Sequence, residues 1–231
     1  MAGVGELIAA IKRRDVGALK LLLDREPALA GARAASGETP AIVAIYWRSA
    51  ESLELLLARG AQLDVFEAAA AGRLERVREL LAARPDLVAA RAPDGWTALH
   101  LAAHFRQLPV VDFLLHRGAD VNARSENSHA NTALHAAAAG GAARALVQRL
   151  VEAGVQVDAK QGGGYTGLHE AASIGRADLV AVLLEAGASV ESRTDEGRTP
   201  AELARANGHE GVAAMLASRH RDAAAERGRP S

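Results

Sequence analysis

Two histidines in this sequence have a spacing that could bind a metal ion. His100 and His104 are four residues apart, which would place two imidazole rings on one face of a helix. No HExxH motif or pattern of acidic partners accompanies them, and no nucleophile motif lies beside a base. The chain has no cysteine, which excludes thiolate zinc sites, disulfides and a cysteine nucleophile. We therefore expect no catalytic residues, no bound metal and no cofactor.

Two other segments carry residues that could contact phosphate. The glycines at positions 162–164 could cradle an anion, but no Gly-Lys-Ser/Thr sequence follows them, and a tight hairpin tip is the favoured interpretation. Arg219 and Arg221 flank His220 near the carboxyl end, where a solvated tail is the favoured alternative to a phosphate contact.

The composition limits the classes of partner. With 27 basic and 28 acidic residues the formal net charge is −1, so no field that attracts nucleic acid or an anionic membrane is expected. No apolar run approaches the roughly 20 residues of a membrane span, and the amino terminus lacks a signal-peptide pattern, which predicts a cytoplasmic protein. Alanine is abundant and nearly all basic residues are arginine, a composition typical of a bacterium with a GC-rich genome.

A repeat runs through the second half of the chain. Its marker is a threonine before a short apolar segment, at Thr97, Thr132, Thr166 and Thr199, with spacings of 35, 34 and 33 residues. A longer apolar segment follows each of the first three, as in VVDFLLHRGADVNAR and LVAVLLEAGASVESR. Each unit is therefore predicted to be a short helix, a turn, a longer helix and a loop.

The first half repeats at an offset of 58 residues, which is two units. GETPAIVAIYW matches GWTALHLAAHF, and EPALAGAR matches RPDLVAAR at the same offset. Unit 3 opens with VFEAAAAG and is predicted to lack a proper hairpin finger. We expect one solenoid domain over residues 5–217, then a polar tail over 218–231 whose start extends the last helix and whose end is disordered. The seven units are predicted to start near residues 5, 37, 64, 95, 131, 164 and 197.

The motifs TALHLAA, TALHAAA and TGLHEAA, followed by segments such as LLHRGADVNA, resemble the ankyrin repeat family. The resemblance covers nearly the whole chain, roughly residues 5–217. It implies an all-α solenoid of about seven helix-turn-helix units with short β-hairpin or turn fingers. It also implies a concave groove, lined by the first helices and the fingers, that binds protein partners.

The residue types at the helix boundaries agree with this resemblance. Each of three threonines is followed by a histidine at capping-box spacing, with imidazole in place of Glu. Pro40 and Pro200 fit the first helical position, where no amide donor is needed. The predicted left-handed residues after the second helices are Gly60, Gly118, Gly154 and Gly187. The predicted core leucines of the second helices are Leu56, Leu57, Leu80, Leu81, Leu114, Leu115, Leu150, Leu183 and Leu184.

Five of the seven aromatic residues fall where the resemblance places the concave groove. Such residues dominate interface hot spots because they bury a large area at a small entropy cost. The residues predicted to bind a partner are Tyr46, Trp47, Trp96, His104, Phe105, Tyr165 and Ile174. The alternative is that Trp96 and Tyr165 only pack against neighbouring fingers, and that Tyr46 and Trp47 cover an exposed helix end. Phe66 and Phe113 are predicted core residues.

The sequence therefore predicts a non-enzymatic scaffold or adaptor that binds another protein, centred on units 2 to 4 and reaching unit 6. A homo-oligomer is not required. Charged residues near the finger tips, including Glu38 and Asp94, would tune orientation and association rate. Two alternatives stay open, namely an arginine-mediated binder of nucleic acid or another polyanion, and a non-catalytic regulatory subunit of an enzyme.

Overall fold

The computed structural model describes residues 3–227 and contains fourteen α-helices in that range, arranged as seven consecutive pairs. The first helix of every pair is shorter than the second. The helices are α1 (Val4–Lys12), α2 (Val16–Arg25), α3 (Pro40–Tyr46), α4 (Ala50–Ala58), α5 (Val65–Ala70), α6 (Leu74–Ala83), α7 (Ala98–His104), α8 (Leu108–His116), α9 (Ala133–Ala139), α10 (Arg144–Glu152), α11 (Gly167–Ser173), α12 (Ala177–Glu185), α13 (Pro200–Ala206) and α14 (Glu210–Arg227). The all-α fold expected from the sequence is confirmed.

Most of the first helices begin at side-chain caps, α1 being an exception with Gly3 before it. Thr97, Thr166 and Thr199 each accept a hydrogen bond from the amide three residues on, which satisfies a donor that the helix itself leaves free. Helix α5 uses other residues for the same purpose, because Asp64 caps it and the Glu67 carboxylate accepts the Asp64 amide at 3.0 Å. This acidic capping box, which lies in the unit without a threonine cap, was not predicted from the sequence.

Each capping histidine also connects its unit to the next one. His100 Nδ1 accepts the Thr97 amide at 3.3 Å, and its Nε2 lies 2.9 Å from the carbonyl oxygen of Asn131 in the following unit. His135 and His169 repeat the arrangement, with Nε2 3.1 Å from the carbonyls of Tyr165 and Arg198 respectively. A carbonyl only accepts, so each Nε2 carries the proton and each ring is neutral. We call these three residues the histidine ladder.

The core lies between stacked units. Each first helix packs against the first helix of the next unit from α1 to α13, and small buried residues such as Ala102, Ala137 and Ala171 allow this close approach. Five of the nine predicted core leucines are fully buried, and they are Leu56, Leu81, Leu114, Leu150 and Leu183. For the other four the predicted core position was wrong, because these side chains are only partly buried where they pack against the core. They are Leu57, Leu80, Leu115 and Leu184.

The fingers are tight turns rather than a sheet. Each is closed by a backbone hydrogen bond between its first and last residues, as from the Ala92 amide to the Trp96 carbonyl at 2.7 Å, and by a second backbone bond within the turn. A single isolated bridge, Arg91 with Thr97, is the extent of β pairing in the described residues. The five fingers span residues 34–38, 92–96, 125–131, 161–165 and 194–198. The glycines at positions 162–164 lie in such a tip, as expected.

Backbone hydrogen bonds join the last four fingers into a row. The Glu126 amide donates to Gly95 at 3.0 Å, and the Asp195 amide donates to Gly163 at 2.9 Å. Unit 3 contributes no finger, since residues 61–64 run directly into α5 with Ala61 and Leu63 buried. The first finger, 34–38, is therefore separated from the row by one unit.

The last helix continues into the predicted tail. Helix α14 runs to Arg227, so the residues just after 217 are helical, in line with the expected extension. The end of the tail, for which disorder is expected, lies at 228–231, outside the described residues. The predicted C-cap glycines all have positive φ, from 84° at Gly118 to 89° at Gly60.

Truncating adjacent leucines of α8 tests this packing. We expect Leu114→Ala to lower the free energy of unfolding by about 3 kcal/mol, because the side chain is completely buried and leaves a cavity. Leu115→Ala, at the partly exposed neighbour, should cost about 1 kcal/mol. Urea unfolding followed by circular dichroism measures both, and equal losses would contradict the assignment of Leu114 to the core.

The histidine ladder makes stability depend on pH. Burial lowers the pKa of all three rings, and that of His135 falls to about 4. A histidine with a depressed folded pKa stabilises the fold fully above its unfolded pKa, near 6.5, and the contribution is lost as pH falls through the folded value. For His135 alone, the free energy of unfolding should drop by about 2 kcal/mol between pH 7.5 and pH 5.

The matched variant for this effect is His135→Gln, since glutamine can occupy the same capping-box position without titrating. Its free energy of unfolding should change less between pH 7.5 and pH 5 than that of wild type. His116→Gln, which alters an exposed histidine, should keep the wild-type dependence. An unchanged pH dependence in His135→Gln would show that the ladder is not its source.

Candidate functional site

Five of the predicted partner-binding residues form one continuous surface, which we call the aromatic patch. Its members are Tyr46, Trp47, Trp96, His104 and Phe105. The Tyr46 and Phe105 rings meet edge to face with centroids 5.2 Å apart, and Phe105 meets His104 in the same way at 5.0 Å. His104 in turn lies 5.5 Å from the Trp96 ring. The rings thus extend from unit 2 to unit 4.

The fingerless unit brings these rings together. Tyr46 ends α3 in unit 2, and Phe105 follows α7 in unit 4, so the two rings meet across unit 3. At the equivalent positions, unit 3 carries only the small residues Ala70 and Ala71. A larger side chain there would stand between the two rings.

The aromatic patch combines exposed and supported rings. Tyr46 is 43% exposed and Trp47 is 41% exposed, which is unusual for large aromatic side chains in a folded protein. Lys12 Nζ lies 4.8 Å from the Trp47 ring centroid, so that ring already interacts with a cation. Trp96, His104 and Phe105 are half-buried and pack against the core or each other.

The other two predicted residues lie apart from the aromatic patch. Tyr165 packs on His169, with ring centroids 5.8 Å apart, and Ile174 is 41% exposed at the end of α11. No ring contact within the described residues links them to the patch. Unit 5 lies between them, and its first helix ends at Gly140, which has no side chain that could connect the two sets of residues. A Cβ atom at Gly140 would collide with the His104 carbonyl.

A cleft opens beside the aromatic patch where unit 3 lacks a finger. It has a volume of about 480 Å³ and lies between the fingers at 34–38 and 92–96. Its apolar lining includes Ile42, Phe66 and Leu101, together with the Tyr46 and Trp47 rings. Phe66 was predicted as a core residue, and it packs partly buried against the core while also lining this cleft.

Four carboxylates also line the cleft, against one guanidinium, Arg33. They are Glu38, Asp64, Glu67 and Asp94. Burial raises the pKa of Glu67, which is only 5% exposed, although hydrogen bonds from Thr39 and the Asp64 amide oppose the rise. Burial and the nearby Asp94 carboxylate raise the pKa of the Tyr46 phenol. The cleft therefore has an excess of negative charge in a partly desolvated position.

This cleft was not predicted from the sequence. Glu38 and Asp94 were predicted only as charges at the finger tips, and unit 3 was predicted to lack a finger, but no cleft was inferred from these two predictions. The finger-tip acids and the absent finger, taken together, could have predicted the cleft, because a missing finger exposes the sides of the two neighbouring fingers. Phe66 and Glu67, at the start of the helix in the fingerless unit, would then be expected to line the cleft.

Basic residues flank the other edge of the aromatic patch. Arg14, Arg48 and Arg106 follow the first helices of units 1, 2 and 4, where units 3, 5, 6 and 7 have glycine. Their backbones are left-handed, with φ of 56°, 51° and 65°, a conformation that costs a non-glycine residue roughly 1 kcal/mol or more. All three side chains are exposed, and Arg14 donates to the Trp47 carbonyl at 3.2 Å.

The metal interpretation of His100 and His104 fails on geometry. Both ring nitrogens of His100 are engaged, one with Thr97 and the other with Asn131, so neither has a lone pair free for a metal. The described residues contain no group of three or more potential metal ligands. In the same range, no helix is both long and apolar enough to cross a membrane.

Helix pairs that stack in register and exchange hydrogen bonds through their capping histidines define a helical repeat protein. Profiles of known families agree, since an ankyrin repeat profile of three copies matches residues 134–226 and a single ankyrin repeat profile matches residues 94–126. Together these matches cover more than half of the chain. The chain belongs to the ankyrin repeat family, whose repeats are general protein–protein interaction modules and are typically non-catalytic.

Curated proteins from several eukaryotes share part of this sequence. Palmitoyltransferase akr1 of Schizosaccharomyces pombe is 45% identical over 60 residues, which is 26% of this chain and 9% of that protein. Alpha-latroinsectotoxin-Lt1a of Latrodectus tredecimguttatus is 34% identical over 114 residues, 46% of this chain and 8% of the toxin. Ankyrin repeat and SAM domain-containing protein 6 of Rattus norvegicus is 35% identical over 103 residues, 45% of this chain and 11% of that protein. The chain thus spans about a tenth of these relatives.

The strained arginines can be tested by stability measurements. We expect Arg106→Gly to be more stable than Arg106→Ala by about 0.5–1 kcal/mol, because glycine adopts the left-handed conformation without strain. The control is Lys20, an exposed residue inside α2, where Lys20→Gly should be less stable than Lys20→Ala. Urea unfolding compares the four variants, and the same order at both sites would exclude strain at Arg106.

Proposed function

We propose that this chain is a non-enzymatic adaptor that binds a partner protein through the face formed by its first helices and fingers, centred on the aromatic patch. The binding module comprises the seven units predicted over residues 5–217, and the partner contacts are concentrated in units 2 to 4. Tyr165 and Ile174 would form a smaller secondary contact in unit 6. Within this proposal the protein acts in the cytoplasm of a bacterial cell.

The continuity of the aromatic patch carries this proposal. The chain has only seven aromatic residues, and three of them, Tyr46, Phe105 and Trp96, are connected through His104 by ring contacts. Trp47 follows Tyr46 in the chain and lines the same cleft. A ring that is held by neighbouring rings loses little conformational entropy when a partner covers it. Such rigid, partly exposed Trp and Tyr side chains are the residue types that contribute most to protein interfaces.

The polyanion alternative has weaker support. Many arginines are engaged in ion pairs on the protein itself, as are Arg149 with Asp112 at 2.7 Å and Arg59 with Asp24 at 2.7 Å. A nucleic-acid surface needs unpaired basic residues in a continuous stripe, and here carboxylates line the cleft on one side of the patch. The regulatory-subunit alternative remains within the proposal, since it differs only in the partner being an enzyme.

A quantitative affinity capture from host lysate tests the proposal. We expect wild type to retain a saturable protein partner that the triple variant Tyr46→Ala/Trp47→Ala/Trp96→Ala loses at least tenfold, because the variant removes the largest rings of the patch. Circular dichroism verifies that the variant keeps its helix content. Repeating the capture at raised salt separates the alternatives, because binding to a polyanion falls steeply with salt.

The matched control is Leu21→Ala. Leu21 is 62% exposed in α2, on a second helix rather than on the patch, so its loss removes exposed apolar surface away from the patch. Its capture should equal that of wild type. Equal retention of the partner by the triple variant and wild type would exclude the aromatic patch as the binding surface.

A further inference from the structure

The cleft in the fingerless unit has the chemistry of a receptor for a cationic side chain. Its four carboxylates face one guanidinium, and none of the four forms an ion pair with a side chain in residues 3–219. Arg33, the one cation of the lining, donates to the Gly37 carbonyl at 2.9 Å within its own finger. The protein itself therefore neutralises the negative charge of the cleft only in part.

Aromatic rings complete that chemistry. Tyr46, Trp47 and Phe66 line the same cleft as the carboxylates. A guanidinium group stacks on aromatic faces and bonds carboxylates in a bidentate way. It is also more weakly hydrated than an ammonium group, so these contacts more readily offset the cost of its desolvation. The Trp47 ring already holds one cation, Lys12 Nζ at 4.8 Å from its centroid.

The wall of the cleft also argues for a side chain rather than a paired strand. Where the last fingers meet, the second residue of a finger donates its amide to the preceding finger, as Glu126 does to Gly95 and Asp195 to Gly163. In the finger that borders the cleft, the equivalent residue is Pro93, which has no amide hydrogen. Pro93 therefore cannot donate a hydrogen bond to a partner backbone, so the carboxylates and rings of the cleft are left as the groups that recognise the partner.

We propose that this cleft binds an arginine side chain from an extended segment of the partner protein, with its guanidinium between the Glu38 and Asp94 carboxylates and against the Tyr46 and Trp47 rings. This inference rests on the proposed function, because it assigns one subsite of the same binding face. The volume of about 480 Å³ accommodates one long side chain together with the backbone that carries it.

Displayed peptides provide the test on the full chain. A phage library of twelve-residue peptides is selected against wild type. Each of the strongest binders is synthesised as selected and again with each arginine replaced in turn by citrulline, which has nearly the same shape and no charge. We expect arginine to be enriched over the starting library, and we expect citrulline to weaken binding at least tenfold in fluorescence polarisation. Binding should also weaken in Trp47→Ala.

Charge variants of the protein identify the carboxylates. Glu38→Gln/Asp94→Asn removes two charges and keeps the oxygen atoms that accept from Ser36 and the Trp96 amide, so its fold should be preserved. This variant should bind the arginine peptides at least tenfold more weakly. The matched control, Asp195→Asn/Glu196→Gln, alters two acids on the last finger and should bind as wild type does.

The outcomes separate this inference from the proposed function. Peptides that lose binding in Trp47→Ala but tolerate citrulline and the Glu38→Gln/Asp94→Asn variant would overturn the arginine subsite and leave the aromatic patch as the binding surface. Enrichment without arginine would do the same. Peptides that bind Trp47→Ala, Tyr46→Ala and the charge variant as tightly as wild type would overturn both.

Discussion

The hydrogen bonds of the capping histidines set the register in which units 4 to 7 of this protein stack. Each imidazole accepts from the threonine of its own helix start and donates to a carbonyl of the next unit, so one ring fixes both a local cap and an inter-unit register. The bond requires a neutral ring, and burial ensures this by lowering the pKa. Because the carbonyl lies at the base of the following finger, the same bond also sets where that finger stands.

The part of the chain outside this pattern contains the features that a partner could recognise. Units 1 to 3 have no histidine. In unit 3, the Glu67 carboxylate takes the capping position and contacts Thr39 of the preceding unit instead of a carbonyl of the following one. With no finger in that unit, the flanking fingers expose their sides, and the Tyr46 and Phe105 rings meet across the small helix end. An irregular unit within a regular array therefore concentrates charge, aromatic surface and a cleft in one place.

The periodic part of the fold could be predicted from the sequence, and its exceptions could not. Thr97 and His100 recur at fixed spacing, so their caps and the all-α solenoid follow from local chemistry. The burial of Leu115 and Leu184 was overestimated because a leucine doublet does not reveal which member faces the neighbouring unit. The aromatic patch was predicted residue by residue, but its continuity depends on a contact between residues 46 and 105, which only the stacking of three units creates. The acidic cap at Asp64 could have been predicted from its capping-box spacing with Glu67. It was missed because threonine was used as the marker of each repeat.

The missing finger has a consequence for how the array folds. In a linear array, cooperativity is transmitted through each interface between neighbours, and a weak interface divides the array into blocks. The row of finger-to-finger bonds begins only at Gly95, so no such bond joins units 1 and 2 to the remainder. They are joined to it by helix packing, the Thr39–Glu67 hydrogen bond and the Arg73–Glu54 ion pair. A ligand seated between the fingers at 34–38 and 92–96 would span that junction. Binding there would strengthen the coupling between the two blocks, and the whole chain would then unfold more cooperatively.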